Sequence, residues 1–556
     1  MTQSAATLRW VIKKIRRRVP AILFLTFVSV LSAVFGVLFA LGTKNVIDAV
    51  EDGNQSEFLY ACVLQAIVII GILVCSILSR HLRDRIHANL DKDWKKELLH
   101  GILHSDYIAA SAYHSGELIN RLNNDVRILD DALVNLLPSL CSMITKLLVA
   151  FTVLSALTPY FALLLVGAGL FVITVTALLR KKLKTLHKSV SEADGKVSSI
   201  LQETLEKLLV VQAMDISHEM ERRVSIRLEH RFDLYRRRKN VSLASSSSMS
   251  IMFYAAGFAA LVWCSAGILS GTINFGTMTA VTQLVNQLQS PIIGLSGLLP
   301  QYISMQAAAE RLQELDQLPA TVECLEENPL DIYSRMSGIS GEDLCFTYDR
   351  DSILDRADFS IEKGHFYAIT GPSGTGKSTL LKLMLGVYAP TNGHIFVDFG
   401  DEKLPIDRST RRLFAYVPQG NILFSGTIRE NLLVIKPDAT EDEIRQAVYV
   451  SAMDLYLQQL PNGLDTRLGE AGAGLSEGQA QRLAIARAIL GGAPILLLDE
   501  CTSALDVETE TLVLQRLRDL KNKTCIAVTH RPAAEHICDG RIQMDSGKIS
   551  MKLAQK

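Results

Sequence analysis

The stretch Gly371-Pro-Ser-Gly-Thr-Gly-Lys-Ser378 decides how the second half of this 556-residue chain is interpreted. It matches the pattern G-x-x-x-x-G-K-[ST] in full, between a predicted strand, Phe366–Thr370, and a predicted helix, Thr379–Leu385. Glycines let backbone N–H groups wrap a phosphate closely, and the new helix adds its positive dipole end. The motif therefore predicts a site for nucleotide phosphates. Its predicted residues are Gly371, Pro372, Ser373, Gly374, Thr375, Gly376, Lys377, Ser378 and Thr379.

Four side chains of this half have distinct expected tasks. Lys377 would neutralise the β- and γ-phosphates, and Ser378 would hold Mg²⁺. A second element, Ile495-Leu-Leu-Leu-Asp499-Glu500, reads as a buried strand that ends in two carboxylates. Asp499 fits the acid that holds Mg²⁺, and Glu500 is then placed to polarise the attacking water. The two elements together predict an α/β domain that binds ATP with Mg²⁺ and hydrolyses it.

The first half of the chain is of a different kind. Hydrophobic residues make up 48% of the whole sequence, and the long apolar runs all lie before about residue 320. Each run is close to the ~20 residues that a helix needs to cross ~30 Å of hydrocarbon. The pattern therefore predicts an all-α membrane domain with six spans. The predicted spans are Ala21–Gly42, Phe58–Leu78, Leu133–Leu157, Tyr160–Leu179, Ile251–Leu269 and Met278–Leu299.

The connections between the spans indicate the orientation. Every second connection is long and rich in Lys and Arg, whereas the others are short and nearly free of basic residues. The positive-inside rule therefore puts both long loops and both termini in the cytosol, with the basic amphipathic stretch Leu8–Val19 on the cytosolic membrane face. Arg80–Leu103 and Leu186–Leu209 keep helical spacing, so both loops should extend the membrane helices. Each loop should then reverse, near Ala112–Leu118 and near Ala213–Met220.

Polar residues inside the predicted spans point to a path for cargo. One helical face of the sixth span carries a polar stripe of Thr279, Gln283, Asn286 and Ser290, with Gln287 beside it. Polar groups inside a membrane usually face the bundle interior or a wet cavity. Interhelical hydrogen bonding without cargo contact is the alternative, and it applies equally to Lys146 and Gln65. The candidate cargo-path residues are Gln283, Asn286, Gln287 and Lys146.

Composition also suggests the domain boundaries and excludes some partners. We expect a membrane domain over 1–318, an exposed linker over 319–336, where two prolines flank an acidic stretch, and an α/β domain over 337–556. The net charge of −1 gives no basic field, so no nucleic-acid partner is expected. The nine cysteines include no CxxC spacing, which favours small buried hydrophobes over zinc or disulfide sites.

A third motif makes the resemblance to a known family specific. Leu475-Ser-Glu-Gly-Gln479 resembles the signature of ATP-binding-cassette (ABC) ATPases, whose usual form is LSGGQ, and Gln481–Ala488 continues as in that family. The chain as a whole resembles an exporter-type half-transporter of the ABC superfamily. The resemblance implies an all-α six-helix transmembrane domain followed by an α/β P-loop ABC ATPase domain.

The resemblance also implies tasks for further residues. Tyr348 resembles the aromatic residue that stacks on adenine, and His530 resembles the switch histidine near the γ-phosphate. Gln419 resembles the glutamine that reaches the Mg²⁺ and the water and senses the membrane domain. Gly469–Gly472 resembles a loop that touches the cytosolic helices in exporters. The loop that crosses the dimer interface in the family is matched by Ser503, Ala504, Leu505 and Asp506.

The signature itself departs from the family form at one position. The resemblance implies nucleotide contacts for Ser476, Gly478 and Gln479, with Ser476 and Gly478 donating to the γ-phosphate held by the opposing subunit. Glu477 replaces the usual glycine, and a carboxylate pointing inward would repel the phosphates. We therefore expect Glu477 to point away from the nucleotide and ATPase activity to survive.

These expectations combine into one functional hypothesis with alternatives. The hypothesis is a homodimer in the cytoplasmic membrane that uses ATP to export an amphipathic cargo (a drug, lipid or peptide) by alternating access. An importer of siderophore-like cargo on the same fold and a heterodimeric half-transporter are the main alternatives. A receptor or channel regulator could use the same architecture. A soluble ABC ATPase acting on nucleic acid or ribosomes would lack the six apolar segments.

Overall fold

The computed structural model describes residues 2–159, 185–320, 325, 327–348, 351–420, 423–469, 472–520, 522–531 and 536–553. These residues form two compact units. The first unit comprises residues 1–102 and 114–317, and the second comprises residues 103–113 and 318–556.

The described residues up to 317 are mainly helical, as their apolar runs and helical spacing predict. A π-helical turn at Arg121–Asp125 joins two of its helices. The helices are α1 (Thr2–Lys14), α2 (Val19–Glu51), α3 (Gln55–Leu103), α4 (Tyr107–Ser111), α5 (Ser115–Asn120), α6 (Val126–Leu157), α7 (185–206), α8 (Leu208–Ala213), α9 (Ser217–Leu269) and α10 (Phe275–Asp316).

The predicted spans can be compared with these helices. The span at Tyr160–Leu179 lies outside the described residues, and every other predicted span falls inside a described helix. Among the described residues, four helices are long and apolar enough to cross a membrane: Val19–Glu51, Gln55–Leu103, Ser115–Leu157 and Ser250–Leu269. The helix α10 contains the polar stripe and is not among the four. The helix α3 runs without a break from Gln55 to Leu103, so Arg80–Leu103 continues the helix that contains the second apolar segment.

The core of the first unit lies between α2, α6, α9 and α10. Val37, Leu154 and Leu284 are fully buried there. Ala40, Ala150 and Ala260 are small residues on three different helices of the same cluster, so the backbones can approach closely. Close van der Waals packing of this kind holds helices together where lipid removes the hydrophobic driving force.

An ion-pair network ties the π-helical turn to the end of α10. Asp125 is only 1% exposed, and its two oxygens accept hydrogen bonds from Arg311 at 2.6 and 2.8 Å. Arg121, also buried, donates to Glu117 at 2.7 Å and to Glu314 at 2.9 Å. The geometry satisfies a buried charge that would otherwise be expensive to hold away from water.

The second unit is built on two sheets. Its strands are β1 (Gly338–Tyr348), β2 (Asp351–Glu362), β3 (Phe366–Thr370), β4 (Asn392–Asp398), β5 (Lys403–Pro405), β6 (Phe414–Val417), β7 (Gly426–Thr427), β8 (Arg467–Leu468), β9 (Ile495–Asp499), β10 (Thr524–Val528), β11 (Gly540–Asp545) and β12 (Lys548–Leu553). Its helices, besides α4, are α11 (Pro329–Arg335), α12 (Lys377–Met384), α13 (Ile428–Leu433), α14 (Glu441–Val450), α15 (Asp454–Leu457), α16 (Glu477–Leu490) and α17 (Val507–Arg518).

The larger sheet has the order β12-β11-β3-β10-β9-β6, and all its neighbours are parallel except β11 and β12. The smaller antiparallel sheet has the order β2-β1-β4-β5. Side chains of β9 alternate between two cores, because successive residues of a strand point to opposite faces. Leu497 packs in the cluster that contains Leu380 and Leu381 of α12, whereas Leu496 and Leu498 pack in the cluster formed with α16 and α17.

Two segments that sequence patterns assigned elsewhere belong to this unit. Within the predicted linker, Asn328 caps α11 through the Leu330 N–H at 3.1 Å, and Ile332 and Tyr333 are buried in the core. The short helix α4 is capped by Asp106, which also accepts a hydrogen bond from Arg408 at 3.0 Å. The first reversal of the chain therefore begins before Ala112, earlier than its apolar pattern predicts.

We predict that Asp125→Asn destabilises the first unit, because the amide keeps the shape of the side chain but cannot hold the Arg311 charge. Hydrogen bonds to charged groups contribute about 1.5–3 kcal/mol. Since Arg311 is 44% exposed and water replaces part of the bond, we expect a loss of roughly 1–2 kcal/mol. The measurement is thermal unfolding of the full chain in detergent. Glu203→Gln, in an exposed pair with Lys207, is the control, and equal melting temperatures for both variants would contradict the expectation.

Candidate nucleotide-binding site

The glycine-rich loop between β3 and α12 lies close to the neighbouring strand β11. A Cβ on Gly371 would lie 2.2 Å from the carbonyl oxygen of Met544, a distance that no side chain can accommodate. Gly376 has φ = 90° and is the N-cap of α12, a left-handed conformation that glycine adopts without strain. The first helical residues are Lys377 and Ser378, so α12 begins two residues before its predicted start. Two glycines of the motif are thus required by the local geometry.

Lys377 lies folded into the curve of this loop. Its Nζ donates to the carbonyl oxygens of Gly371 at 2.9 Å and Pro372 at 2.8 Å, and the residue is only 6% exposed. Burial lowers the pKa of Lys377, while the nearby Glu500 and Asp499 act in the opposite direction. The loop therefore holds a positive charge at its centre, where a phosphate would bring the compensating negative charge.

Asp499, at the end of β9, is held from two sides. Ser378 Oγ donates to its Oδ1 at 2.8 Å, and the Tyr416 hydroxyl donates to its Oδ2 at 3.0 Å. Asp499 itself is 2% exposed. Burial and the Asp499 charge raise the pKa of Tyr416, so its hydroxyl stays protonated and can donate. Sequence patterns singled out Ser378 and Asp499 but not Tyr416.

Glu500 is also contacted from two sides, and its backbone is strained. Gln419 Nε2 donates to its Oε2 at 2.7 Å, and His530 Nε2 lies 3.5 Å from its Oε1. The φ angle of Glu500 is 46°, in the left-handed region, which costs roughly 1–2 kcal/mol for a residue with a Cβ. The structure therefore brings together all three of the predicted catalytic side chains.

The chemistry of the nearby donors can be compared with the needs of Mg²⁺. Within the described ranges, no group of three or more His, Cys, Asp and Glu side chains could hold a metal ion by itself. Mg²⁺ in phosphoryl-transfer sites typically uses one or two carboxylates together with substrate phosphates. Ser378, Asp499 and Gln419 offer a hydroxyl, a carboxylate and an amide oxygen, all hard oxygen donors. This donor set fits Mg²⁺ that arrives with a nucleotide.

Tyr348 lies at the end of β1, beside a second tyrosine. It is 46% exposed, its hydroxyl donates to the Tyr388 hydroxyl, and the two rings meet edge to face with centroids 5.5 Å apart. The Tyr388 ring is in turn 6.4 Å from that of Tyr107 on α4. Tyr348 is thus among the exposed large side chains of this unit.

The signature residues form the N-terminus of α16. Ser476 is the N-cap: its Oγ accepts from Gln479 N at 3.3 Å, and its own N–H donates to Gln479 Oε1 at 2.8 Å. Glu477 is exposed in the first turn, where a carboxylate interacts favourably with the helix dipole. In the described part of the chain, no hydrogen bond or ion pair joins Ser476, Gly478 or Gln479 to the glycine-rich loop.

The predicted interface loop is fastened to α16. Gln481 is 5% exposed, and it donates to Ser503 Oγ at 3.1 Å and accepts from Ala504 N at 3.1 Å. A Cβ on Gly478 would lie 2.8 Å from the Ala504 carbonyl oxygen, so the loop crosses closely over the signature helix. Asp506 ends the loop by capping α17 through the Thr509 N–H at 2.8 Å, and this hydrogen bond lowers the pKa of Asp506.

An ion pair between Arg531 and the buried Glu510 holds the same loop from the other side. Arg531, directly after His530, donates to the Leu505 carbonyl oxygen at 2.6 Å and to Glu510 Oε2 at 3.2 Å. Glu510 is 1% exposed, and its other oxygen accepts from Thr502 at 2.8 Å. Sequence patterns did not single out Arg531 or Glu510. The helix α17 has acidic residues in its first turn. Nothing in the local sequence distinguishes the buried Glu510 from an exposed glutamate.

The remaining predicted residues fall into three groups. Within the loop Gly469–Gly472, Glu470 and Ala471 lie outside the described residues. On α10, Gln287 Nε2 donates to the Gly36 carbonyl oxygen of α2 at 3.0 Å. This is an interhelical hydrogen bond, the alternative to cargo contact that the polar residues of the spans left open. The Oε1 atoms of Gln283 and Gln287 are buried and have no hydrogen-bond partner in the part of the chain that the structure describes. Asn286 is exposed and Lys146 is half-buried.

Two family profiles match the chain in the order of its two parts. The family described as the ABC transporter transmembrane region matches residues 22–292, and the family described as the ABC transporter matches residues 354–503. Together the two profiles reproduce the arrangement of a helical membrane domain followed by a nucleotide-binding domain.

Relatives of known name differ in what they transport. The mycobactin import ATP-binding/permease protein IrtB of Mycolicibacterium smegmatis is 36% identical over 308 residues, which cover 55% of this chain and 52% of that protein. The match therefore spans about half the length of that relative. The ATP-dependent lipid A-core flippase of Desulfotalea psychrophila is 29% identical over 84% of this chain and 82% of the relative.

A solved structure agrees with the fold. A bacterial Atm1-family ABC exporter with ATP bound has a TM-score of 0.80, at 23% identity, and the match covers 96% of this chain and 95% of that chain. At this identity the likeness concerns the fold alone, and it agrees with the all-α membrane domain and α/β ATPase domain expected from the sequence. With both family profiles matched in one chain, the protein belongs to the ABC transporter superfamily, as a half-transporter that fuses a membrane domain to an ABC ATPase domain and has an exporter-type fold.

Proposed function

We propose that this protein is an ATP-driven exporter that works as a homodimer and moves an amphipathic cargo out of the cytosol by alternating access. The observation that carries the proposal is the cluster of Ser378, Asp499, Glu500, Gln419 and His530 at one edge of the larger sheet, in a chain that also carries a helical membrane domain. The protein would lie in the cytoplasmic membrane, with its ATPase domain and both termini in the cytosol.

In this proposal the nucleotide is held by residues of the second unit. Tyr348 stacks on the adenine, the loop 371–376 wraps the phosphates, and Lys377 leaves its carbonyl partners to bind the β- and γ-phosphates. Ser378, Asp499 and Gln419 would hold the Mg²⁺, which would supply positive charge to neutralise the phosphates. The donor set and the burial of Lys377 and Asp499 support these assignments.

Hydrolysis would depend on how Glu500 is held. Its carboxylate accepts the proton of the attacking water, the task of a general base. Gln419 and His530 each contact one oxygen of that carboxylate, so they fix its plane in the present geometry. The strained backbone supports the same role, because strain of this kind persists where surrounding contacts over-determine a functional residue.

The proposed dimer follows from the position of the signature residues. Within one described chain, Ser476 and Gly478 make no hydrogen bond to the glycine-rich loop, whereas by the family pattern they complete the site of an opposing subunit. Each nucleotide element is present once per chain, so two copies would form two complete sites. A heterodimer with a related chain is the alternative.

Closure of the two copies would be coupled to the membrane domain through binding energy. A complete shift between two states, from 1:99 to 99:1, needs about 5.5 kcal/mol of differential binding. Two buried triphosphates, each with charge-assisted hydrogen bonds, can supply that amount. The chain reversals predicted near Ala112–Leu118 and Ala213–Met220 would carry that closure to the membrane helices.

Export is tested against import by the direction of ATP-dependent flux. The named relatives include both an importer and a flippase, so the fold by itself does not decide the direction. The purified chain in lipid is first screened for ATPase stimulation by a panel of dyes, lipids and peptides. A stimulating compound is then followed in inverted vesicles. ATP-dependent accumulation supports export, depletion supports import, and absence of ATP-dependent flux contradicts transport.

We predict that Glu500→Gln binds ATP, remains in the closed dimer and does not turn over. The amide cannot accept the proton of the attacking water, and loss of a general base typically lowers rates by ~10²–10⁴-fold. Phosphate release and retained nucleotide are measured on the full chain in lipid. Glu402→Gln, at an exposed carboxylate before β5, is the control and should hydrolyse ATP at the wild-type rate. Steady-state hydrolysis by Glu500→Gln at that same rate would remove Glu500 from the catalytic role.

We also predict that Glu477→Gly changes the ATPase rate by less than about tenfold, because interactions of exposed charges are typically worth at most about 1 kcal/mol. Glu477→Gln is the matched variant, since it removes the charge without adding backbone freedom. The rate of phosphate release is the measurement. An increase by orders of magnitude in both variants would mean that the carboxylate faces the nucleotide.

A further inference from the structure

We propose that Tyr416 is a positioning residue for the Mg²⁺-holding carboxylate of Asp499. The inference rests on the proposed function, because it assigns to Tyr416 a task in metal-dependent nucleotide binding. Its carrying observation is the hydrogen bond of 3.0 Å from the Tyr416 hydroxyl to Asp499 Oδ2, on the side of the carboxylate opposite to Ser378.

The register of two parallel strands brings the tyrosine to this place. Tyr416 on β6 pairs with Leu497 on β9, and Asp499 follows two residues later on the same strand. Because side chains alternate along a strand, Leu497 and Asp499 point to the same face of the sheet. Tyr416 packs on that face too, in the cluster that contains Leu497. Its long side chain therefore runs past Leu497 and ends at Asp499.

The two hydrogen bonds to the Asp499 carboxylate come from two different elements. Ser378 belongs to the first turn of α12 and holds Oδ1, whereas Tyr416 belongs to the edge strand β6 and holds Oδ2. A carboxylate with only one of these partners can rotate about its last bond. With both partners its plane is fixed relative to Ser378, the second proposed Mg²⁺ donor.

The Tyr416 hydroxyl is the donor in this contact, because a carboxylate oxygen accepts. A hydrogen bond from a hydroxyl to a carboxylate is charge-assisted, so it is shorter and stronger than one between neutral groups. Residues that orient metal ligands typically change metal affinity or activity by ~10–100-fold when they are replaced.

The test separates metal-dependent from metal-independent binding of a nucleotide. The affinity of the full chain in lipid for a fluorescent, non-hydrolysable ATP analogue is measured in EDTA and in saturating Mg²⁺, and the ratio of the two affinities is the contribution of the metal. For Tyr416→Phe we expect this ratio to fall roughly tenfold while the affinity in EDTA stays at the wild-type value. Phe keeps the packed ring, and a melting curve checks that the fold is retained.

Two further variants serve as positive and negative controls. Asp499→Asn should remove most of the metal contribution, whereas Tyr388→Phe, which loses a hydroxyl bonded to Tyr348 and not to Asp499, should keep the wild-type ratio. A wild-type ratio in Tyr416→Phe overturns the inference and leaves the nucleotide site intact. A loss of affinity in EDTA as well would make Tyr416 a merely structural residue. A wild-type chain that binds no nucleotide in either condition would contradict the proposed function itself.

Discussion

The parallel pairing of β6, β9, β10 and β3 is the constraint on which the candidate site depends. In parallel strands the carboxyl ends meet at one edge, so the residues that follow them converge there. Gln419 follows β6, Asp499 ends β9 and Glu500 comes next. His530 follows β10, and the glycine-rich loop follows β3. Residues that are far apart in the chain thereby reach hydrogen-bonding distance without any local sequence signal that links them.

The backbone of Glu500, at the same edge of the sheet, is strained, so neighbouring residues have to stabilise it. Glu500 adopts a left-handed backbone conformation, and the chain then turns into a loop that two buried side chains fasten. Gln481 binds the loop from α16, and Glu510, paired with Arg531, binds it from α17. Strained residues persist only where surrounding contacts over-determine them. The contacts of Gln481, Glu510 and Arg531 with the loop after Glu500 are of this kind, and they lie next to the proposed general base.

The helices of the first unit are held together in a different way, because lipid offers them no hydrogen bonds. Small residues let α2, α6 and α9 approach closely, and two glutamine side chains donate to α2. Gln287 donates to the Gly36 carbonyl oxygen, and Gln65 donates to that of Phe39 at 3.2 Å. The Oε1 atoms of both glutamines are buried without a partner among the described residues. Each of these amides thus makes an interhelical hydrogen bond through its donor group.

Much of the architecture could be predicted from short-range patterns. The glycine-rich loop, the strand Ile495–Asp499 and the apolar segments each depend on residues within a few positions of one another. The strand forms at the predicted residues, and each described span lies in a helix, whereas α12 begins two residues earlier than predicted. The fold class and the family membership followed from those patterns. The helix at Pro329–Arg335 did not, because its stability comes from burying Ile332 and Tyr333 in a core made by distant residues.

What the sequence by itself determined is the chemistry available: a phosphate loop, two adjacent carboxylates, a glutamine, a histidine and a set of membrane spans. The tertiary structure alone decided which further side chains hold these groups, as with Tyr416 on Asp499 and Arg531 on Glu510. The physical reason is that local patterns report the conformation of a few neighbouring residues. Hydrogen bonds across a sheet depend on strand register, which is set only when the whole core packs.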